Sequence, residues 1–125
     1  MKPLYIDGAW VEGVDAQPDI NPSDLSDTLG HYDWAGEAHT IDAVAAARAA
    51  FPAWRRSGIQ QRADILDTIG TEILARKNEL GDLLAREEGK PLVEAMGEVA
   101  RAGQIFKFFA GEALRPGGEL MPSVR

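Results

Sequence analysis

No cysteine occurs anywhere in the 125 residues of this chain. That excludes a disulfide framework, thiolate zinc sites and covalent catalysis through sulfur by these residues. It also fits a reducing compartment, so a cytoplasmic location is expected. Histidine is almost as scarce. His31 and His39 are the only two, too few for a histidine-rich metal site, and no metal site is expected. No apolar run approaches the roughly 20 residues of a membrane span. The N-terminal MKPLYIDGAW has one lysine and no apolar core, so it does not read as a signal peptide. Positive charge is in deficit, with 13 Lys and Arg against 20 Asp and Glu. The formal charge of −7 repels nucleic-acid phosphates and anionic lipid surfaces, so neither nucleic acid nor membrane is expected as a partner.

What is present reads as one ordinary domain, mostly helical, with an N-terminal hairpin. The hydrophobic fraction of 45% lies in the globular range and argues against a disordered tail. Residues 4–11 read as two short strands turning at Asp7-Gly8, a dipeptide that accepts the positive φ angles of a tight hairpin. Residues 15–27 are rich in turn formers, including Pro18 and Asn21-Pro22, and are expected to be irregular. Thr28 to Ala35 is expected as a third strand, with Trp10 and Trp34 covering the hairpin. Four helices follow, over about 40–55, 57–77, 78–88 and 91–114. Thr40 is expected to cap the first, whose stripe is Ile41, Val44, Ala47, Phe51 and Trp54. Pro52 should bend or end it near Phe51. Ser57 and Gln60 have capping-box spacing before the second helix, whose inward face is Leu66, Ile69 and Ile73. Asn78 is the expected cap of the third. Gly89 can close the third in the left-handed conformation, and Pro91 suits the first turn of the fourth. Pro116-Gly117-Gly118 should stop that helix, with a strand beginning within Leu120–Val124.

The fourth helix carries two different faces. Leu92, Met96, Val99, Ala102 or Gly103, Phe106 and Ala110 recur at three- and four-residue steps and read as the packed side. Gly97, Arg101, Gln104 and Phe108 mix small, cationic, amide and aromatic groups, which a purely structural helix rarely needs. The strands are too few and short to stand as a sheet, and the apolar helix stripes need a covering surface. Together these elements read as a flanking layer for a scaffold outside the chain.

The phrases EEGKP, GEVARA and FFAGE within residues 87–112, in that order, resemble the N-terminal region of the aldehyde dehydrogenase superfamily. Its bacterial semialdehyde-oxidising branches, such as the α-ketoglutarate semialdehyde dehydrogenases, are the most similar. YIDGAWV resembles that family's opening hairpin. DAVAAARAAFPAWR and QRADILDTIGTEILARKNELGDLLAREEGK resemble its first helices. The resemblance implies an α/β parent with a Rossmann-type cofactor domain, of which residues 1–125 are the N-terminal portion. The catalytic and oligomerisation domains are not in this chain. The family works through a cysteine nucleophile, a glutamate general base and NAD or NADP. With no cysteine, this chain is expected to be inactive alone, with no catalytic or cofactor-binding residue and no bound cofactor of its own. Its expected partners are the remainder of its parent chain and a small aldehyde, with a homo-oligomeric parent.

The resemblance places Gly97, Arg101 and Phe108 on the wall of the aldehyde's approach path. A guanidinium there could meet the distal carboxylate of a semialdehyde acid bidentately. The competing reading of Arg101 is an ion pair with Glu94, Glu98 or a neighbouring element. For Phe108 it is burial in the core, and for Gly97 it is close helix packing. Glu87 and Glu88 point in different directions from a helix and read as a solvated end. Lys90 follows no G-x-x-x-x-G-K-[ST] loop, which removes the phosphate-loop reading. A stand-alone, non-catalytic helical module that binds a partner protein through its stripes is the alternative for the whole chain.

Overall fold

The computed structural model describes residues 1–115, 117, 118, 121 and 123. Two antiparallel strand pairs precede four helices. Strands β1 (Leu4–Ile6) and β2 (Ala9–Val11) pair with Tyr5 opposite Trp10. Their turn is Asp7-Gly8, with φ of 52° and 79°, the positive values that a two-residue hairpin requires. The Tyr5 and Trp10 rings lie 4.8 Å apart, yet both stay mostly exposed.

Strands β3 (Asp15–Ile20) and β4 (Thr28–Trp34) form the second pair. The first of these corrects the expectation of an irregular stretch over 15–27. Pro18 sits opposite His31, and the ribbon tolerates it because β3 has an open outer edge where no amide donor is needed. Pairing skips Leu29, since Asp19 faces Gly30 and Ile20 faces Thr28. Trp34, expected to cover the hairpin, is 58% exposed. Only residues 21–27 form the irregular link. The two ribbons are tied together by Lys2, whose amide donates to the His31 carbonyl and whose carbonyl accepts from the Asp33 amide. The Asp33 carboxylate in turn accepts from the Gly13 amide at 2.9 Å.

Helix α1 spans Glu37–Trp54 and starts three residues before Thr40. The start is set at Gly36, whose amide donates to His39 Nδ1, while Thr40 lies inside the first turn. Pro52 is accommodated within the helix, which continues to Trp54. Helix α2 spans Ile59–Ala75. The Ser57–Gln60 capping box does not form. Ser57 Oγ instead donates to the Trp54 carbonyl and accepts from Arg62 Nε, and Gln60 bonds Asp64. Arg62 also donates to the Trp54 and Arg55 carbonyls and lies over the Trp54 ring. Helix α3 spans Lys77–Glu88, so Asn78 falls inside its first turn and is not a cap. Gly89 closes α3 at φ 69°, and Pro91 precedes α4, Leu92–Glu112. Helix α4 ends before Leu114 and before the proline expected to stop it; Pro116, Leu120 and Val124 lie outside the described residues.

Small residues make the core. Ala63, Ala95, Val99 and Ala110 are its buried apolar side chains, and Gly70, Gly81 and Gly103 are buried with them. Helix α4 packs along α2 and α3. A Cβ placed on Gly81 would lie 2.7 Å from the Met96 side chain. On α2 the expected inward residue Ile69 stays 36% exposed, because the contact centres on Ala63 and Gly70. Helix α1 has no buried residue and lies beside the hairpin tip through Ala43, Ala46, Ala47 and Ala50. Although Ala47 lies at the hairpin tip, the expected core stripe is not buried: Ile41, Val44, Phe51 and Trp54 are 60%, 49%, 58% and 48% exposed.

Candidate functional site

Helix α4 presents the residues that chemistry can use. At about 100° per residue, Gly97, Arg101, Gln104 and Phe108 fall within roughly 60° of arc. All four are exposed. The buried residues Ala95, Val99, Gly103 and Ala110 lie on the opposite side, against α2 and α3. Packing of the small-residue face therefore turns the mixed face outward. From Gly97 to Phe108 the face runs about 16 Å along the axis at 1.5 Å per residue.

The competing readings of these residues can now be weighed. A Cβ on Gly97 would meet nothing within 4 Å, so no close helix contact explains that glycine. Phe108 is 61% exposed and stacks edge-on against Phe109 at 5.3 Å. It is not core among the described residues. Arg101 forms no ion pair with a described residue. Glu98, one turn before it, is held instead by Lys90, whose Nζ donates to both carboxylate oxygens at 2.8 and 2.9 Å. Lys90 also meets Glu88, and these hydrogen bonds raise its pKa, Glu88 contributing most.

The base of the face is fixed by the link at residues 21–27. Arg86 donates to both Asp27 oxygens, at 2.8 and 2.5 Å, and Ser23 Oγ donates to the Gly89 carbonyl at 2.9 Å. Asn21, buried, donates to Asp27 and accepts from the Ser23 amide. The Arg86 hydrogen bonds, with that from Asn21, pull the Asp27 carboxyl down to about 2. The Asp27–Arg86 pair did not stand out in the sequence, because a tie between residues 59 apart leaves no local pattern.

The described residues bring no titratable pair together in a cleft for acid–base work. None of their clusters of three or more His, Asp or Glu could hold a metal. No helix among them is long and apolar enough to cross a membrane. Their strands form antiparallel ribbons, and no glycine-rich turn of phosphate-binding spacing leads from a strand into a helix. These residues do not fit a dinucleotide.

A pattern described as the aldehyde dehydrogenase family matches residues 10–125. An N-succinylglutamate 5-semialdehyde dehydrogenase from Chromobacterium violaceum is 44% identical over 100 residues, covering 79% of this chain and 20% of that protein. A glutarate-semialdehyde dehydrogenase from Pseudomonas aeruginosa is 35% identical, covering 94% of this chain and 25% of its own length. An alpha-ketoglutarate semialdehyde dehydrogenase from Haloferax volcanii is 39% identical, covering 91% and 24%. The chain thus spans a fifth to a quarter of the length of these relatives. A crystal structure of betaine aldehyde dehydrogenase from Staphylococcus aureus in complex with NAD+ superposes with a TM-score of 0.91 at 27% identity, over 99% of this chain and 26% of that one. An NADP dependent enzyme of E. coli gives 0.90 at 32% identity, over 99% and 26%.

Proposed function

The chain belongs to the aldehyde dehydrogenase family, and from that premise we propose that it is the N-terminal part of an NAD(P)-dependent enzyme oxidising a small carboxylated aldehyde to the acid. The match along residues 10–125 carries this reading. The three relatives are by name semialdehyde dehydrogenases, acting on molecules with an aldehyde at one end and an acid at the other, which supports the carboxylate. NAD+ and NADP in the names of structural neighbours support a nicotinamide cofactor, bound by residues outside this chain. Residues 1–125 are then the N-terminal portion of the cofactor-binding domain of a cytoplasmic homo-oligomer. The apolar surfaces of α1 and α4 meet the remainder of the parent.

In this reading Gly97, Arg101 and Phe108 line the aldehyde's approach. Gly97 leaves room, Phe108 gives an apolar wall, and Arg101 receives the distal carboxylate. A guanidinium suits this because its fork offers two parallel donors to two oxygens. The nucleophile lies elsewhere, since aldehyde capture needs a thiolate and no cysteine is present. These residues contribute binding and orientation, which fix the distance between the substrate's far end and the reacting carbon.

The test is Arg101→Ala in the full-length enzyme, assayed on an aldehyde with a terminal carboxylate and on its methyl ester. Loss of a hydrogen-bonded charge contact should lower kcat/KM for the acid about 10- to 100-fold, and for the ester far less. Equal losses would assign Arg101 to packing. The alternative, a stand-alone interaction module, is removed by an intact mass several-fold above that of 125 residues for the protein purified from its source.

A further inference from the structure

We infer that Lys90 is a positioning residue that keeps Arg101 available for an anionic substrate by holding Glu98 away from it. The inference rests on the reading of Arg101 given above.

On a helix, side chains three or four apart are neighbours. For Arg101 those positions are Gly97, Glu98, Gln104 and Ile105. Glu98 is the single acid among them, and a glutamate three residues before an arginine is well placed to pair with it. Such a pair would neutralise the guanidinium and compete with a carboxylate arriving from solution. The structure shows the pair unmade. Glu98 turns back toward the start of α4, where Lys90 Nζ donates to both of its oxygens.

Lys90 is placed for this by its backbone. Gly89, left-handed, ends α3, and the Lys90 amide donates to the Ala85 carbonyl, which fixes the residue at the corner between α3 and α4. Its side chain is only 18% exposed, whereas Glu98 is 55% exposed. Glu88 supplies a second carboxylate to the same ammonium. The ammonium is thereby held between two carboxylates, and one of them is the acid that Arg101 would otherwise use. Lys107, the other cation on α4, is committed to Asp67 and Thr71. Of the two cations on α4, Arg101 is the one without an anion among the described residues.

The experiment uses the full-length enzyme with the two aldehydes already named, the acid and its methyl ester. Lys90→Ala releases Glu98. KM for the acid should then rise relative to the ester by about two- to five-fold, the range that an exposed ion pair spans. The double variant K90A/E98Q removes the competitor as well and should restore the wild-type ratio of KM values. A merely structural role for Lys90 predicts no rescue by E98Q and similar changes for both aldehydes. Absence of the KM shift in K90A, or a shift that persists in K90A/E98Q, overturns the inference. If R101A itself fails to separate acid from ester, the reading of Arg101 falls first. If R101A separates them and the double variant does not rescue, only the role of Lys90 falls.

Discussion

Gly70 on α2 and Gly103 on α4 approach so closely that a Cβ built on Gly70 would lie 2.9 Å from the Gly103 carbonyl oxygen. The same Cβ would meet the Lys107 backbone nitrogen at 3.3 Å, so relief requires the helices to part. Gly70→Ala should gain up to about 1 kcal/mol of helix propensity and lose about 1–3 kcal/mol to overpacking. The expected result is net destabilisation, seen as faster amide hydrogen exchange through the middle of α2 and α4.

Gly97 is the control for that experiment. It is in the same helix as Gly103, but its Cβ position opens into free space. Gly97→Ala should slow exchange around position 97, by up to about 1 kcal/mol in local opening free energy. In the full-length enzyme the same methyl should narrow the approach path, raising KM for branched aldehydes more than for linear ones. Faster exchange in this variant would show that a neighbour already fills the space.

The Asp27–Arg86 contact sets a pH dependence with a definite sign. The folded carboxyl is lowered to about 2, first through the Arg86 hydrogen bond and then through that of Asn21. In the unfolded chain it returns to about 4. A depressed folded value means that the contribution is fully present above about pH 4 and is lost as pH falls toward about 2. Asp27→Asn should therefore be less stable than wild type at neutral pH and approach it in acid. Denaturant unfolding from neutral pH to about pH 2 measures the gap. A gap that does not close on acidification would contradict the assignment.

The strap at Lys2 makes a local claim. The Asp33 amide donates to the Lys2 carbonyl at 3.1 Å, and this bond joins the two ribbons. Removing the first two residues should expose the Asp33 amide and raise its exchange rate, while the Asp15–Trp34 pairing persists. Unchanged protection at Asp33 would mean that the ribbons are held by other contacts.

Residues 1–125 expressed alone should melt over a broad range and bind a hydrophobic dye. Val99 is the largest of the buried apolar side chains in the core, and large residues such as Ile41, Phe51, Phe108 and Phe109 remain exposed. A sharp two-state transition of a monomer would contradict this.

Much of this architecture is legible in the sequence, for identifiable reasons. The hairpin at Asp7-Gly8 and the break at Gly89-Pro91 rest on backbone chemistry that no tertiary contact needs to supply. The two faces of α4 follow from spacing, although Ala95, fully buried, lies outside the expected apolar stripe and Leu92, inside it, is 49% exposed. Strand β3 was obscured because Pro18 reads as a breaker, and only the open edge of the ribbon makes it acceptable. The caps failed for a different reason. Thr40, Ser57 and Asn78 are good capping residues, but α1 starts earlier, at Gly36, the Ser57 hydroxyl is taken up by the Trp54 carbonyl and Arg62, and α3 starts before Asn78. The contacts at Gly70, Gly81 and Gly103 left no signal, since a glycine shows neither hydrophobic period nor charge. For α1 the stripe itself was readable; which neighbour it faces was not.

Arg62 joins α1 to α2 through three separate donations, to the Trp54 and Arg55 carbonyls and to the Ser57 hydroxyl. This side chain, together with the alanine contacts at the hairpin tip, ties down a helix that has no buried residue. The exposed Ile41–Phe51 side of α1 is thus carried on a helix whose end is anchored by polar bonds and not by apolar burial. Arg62→Ala should raise amide exchange across residues 54–62, where the tie between the two helices is lost.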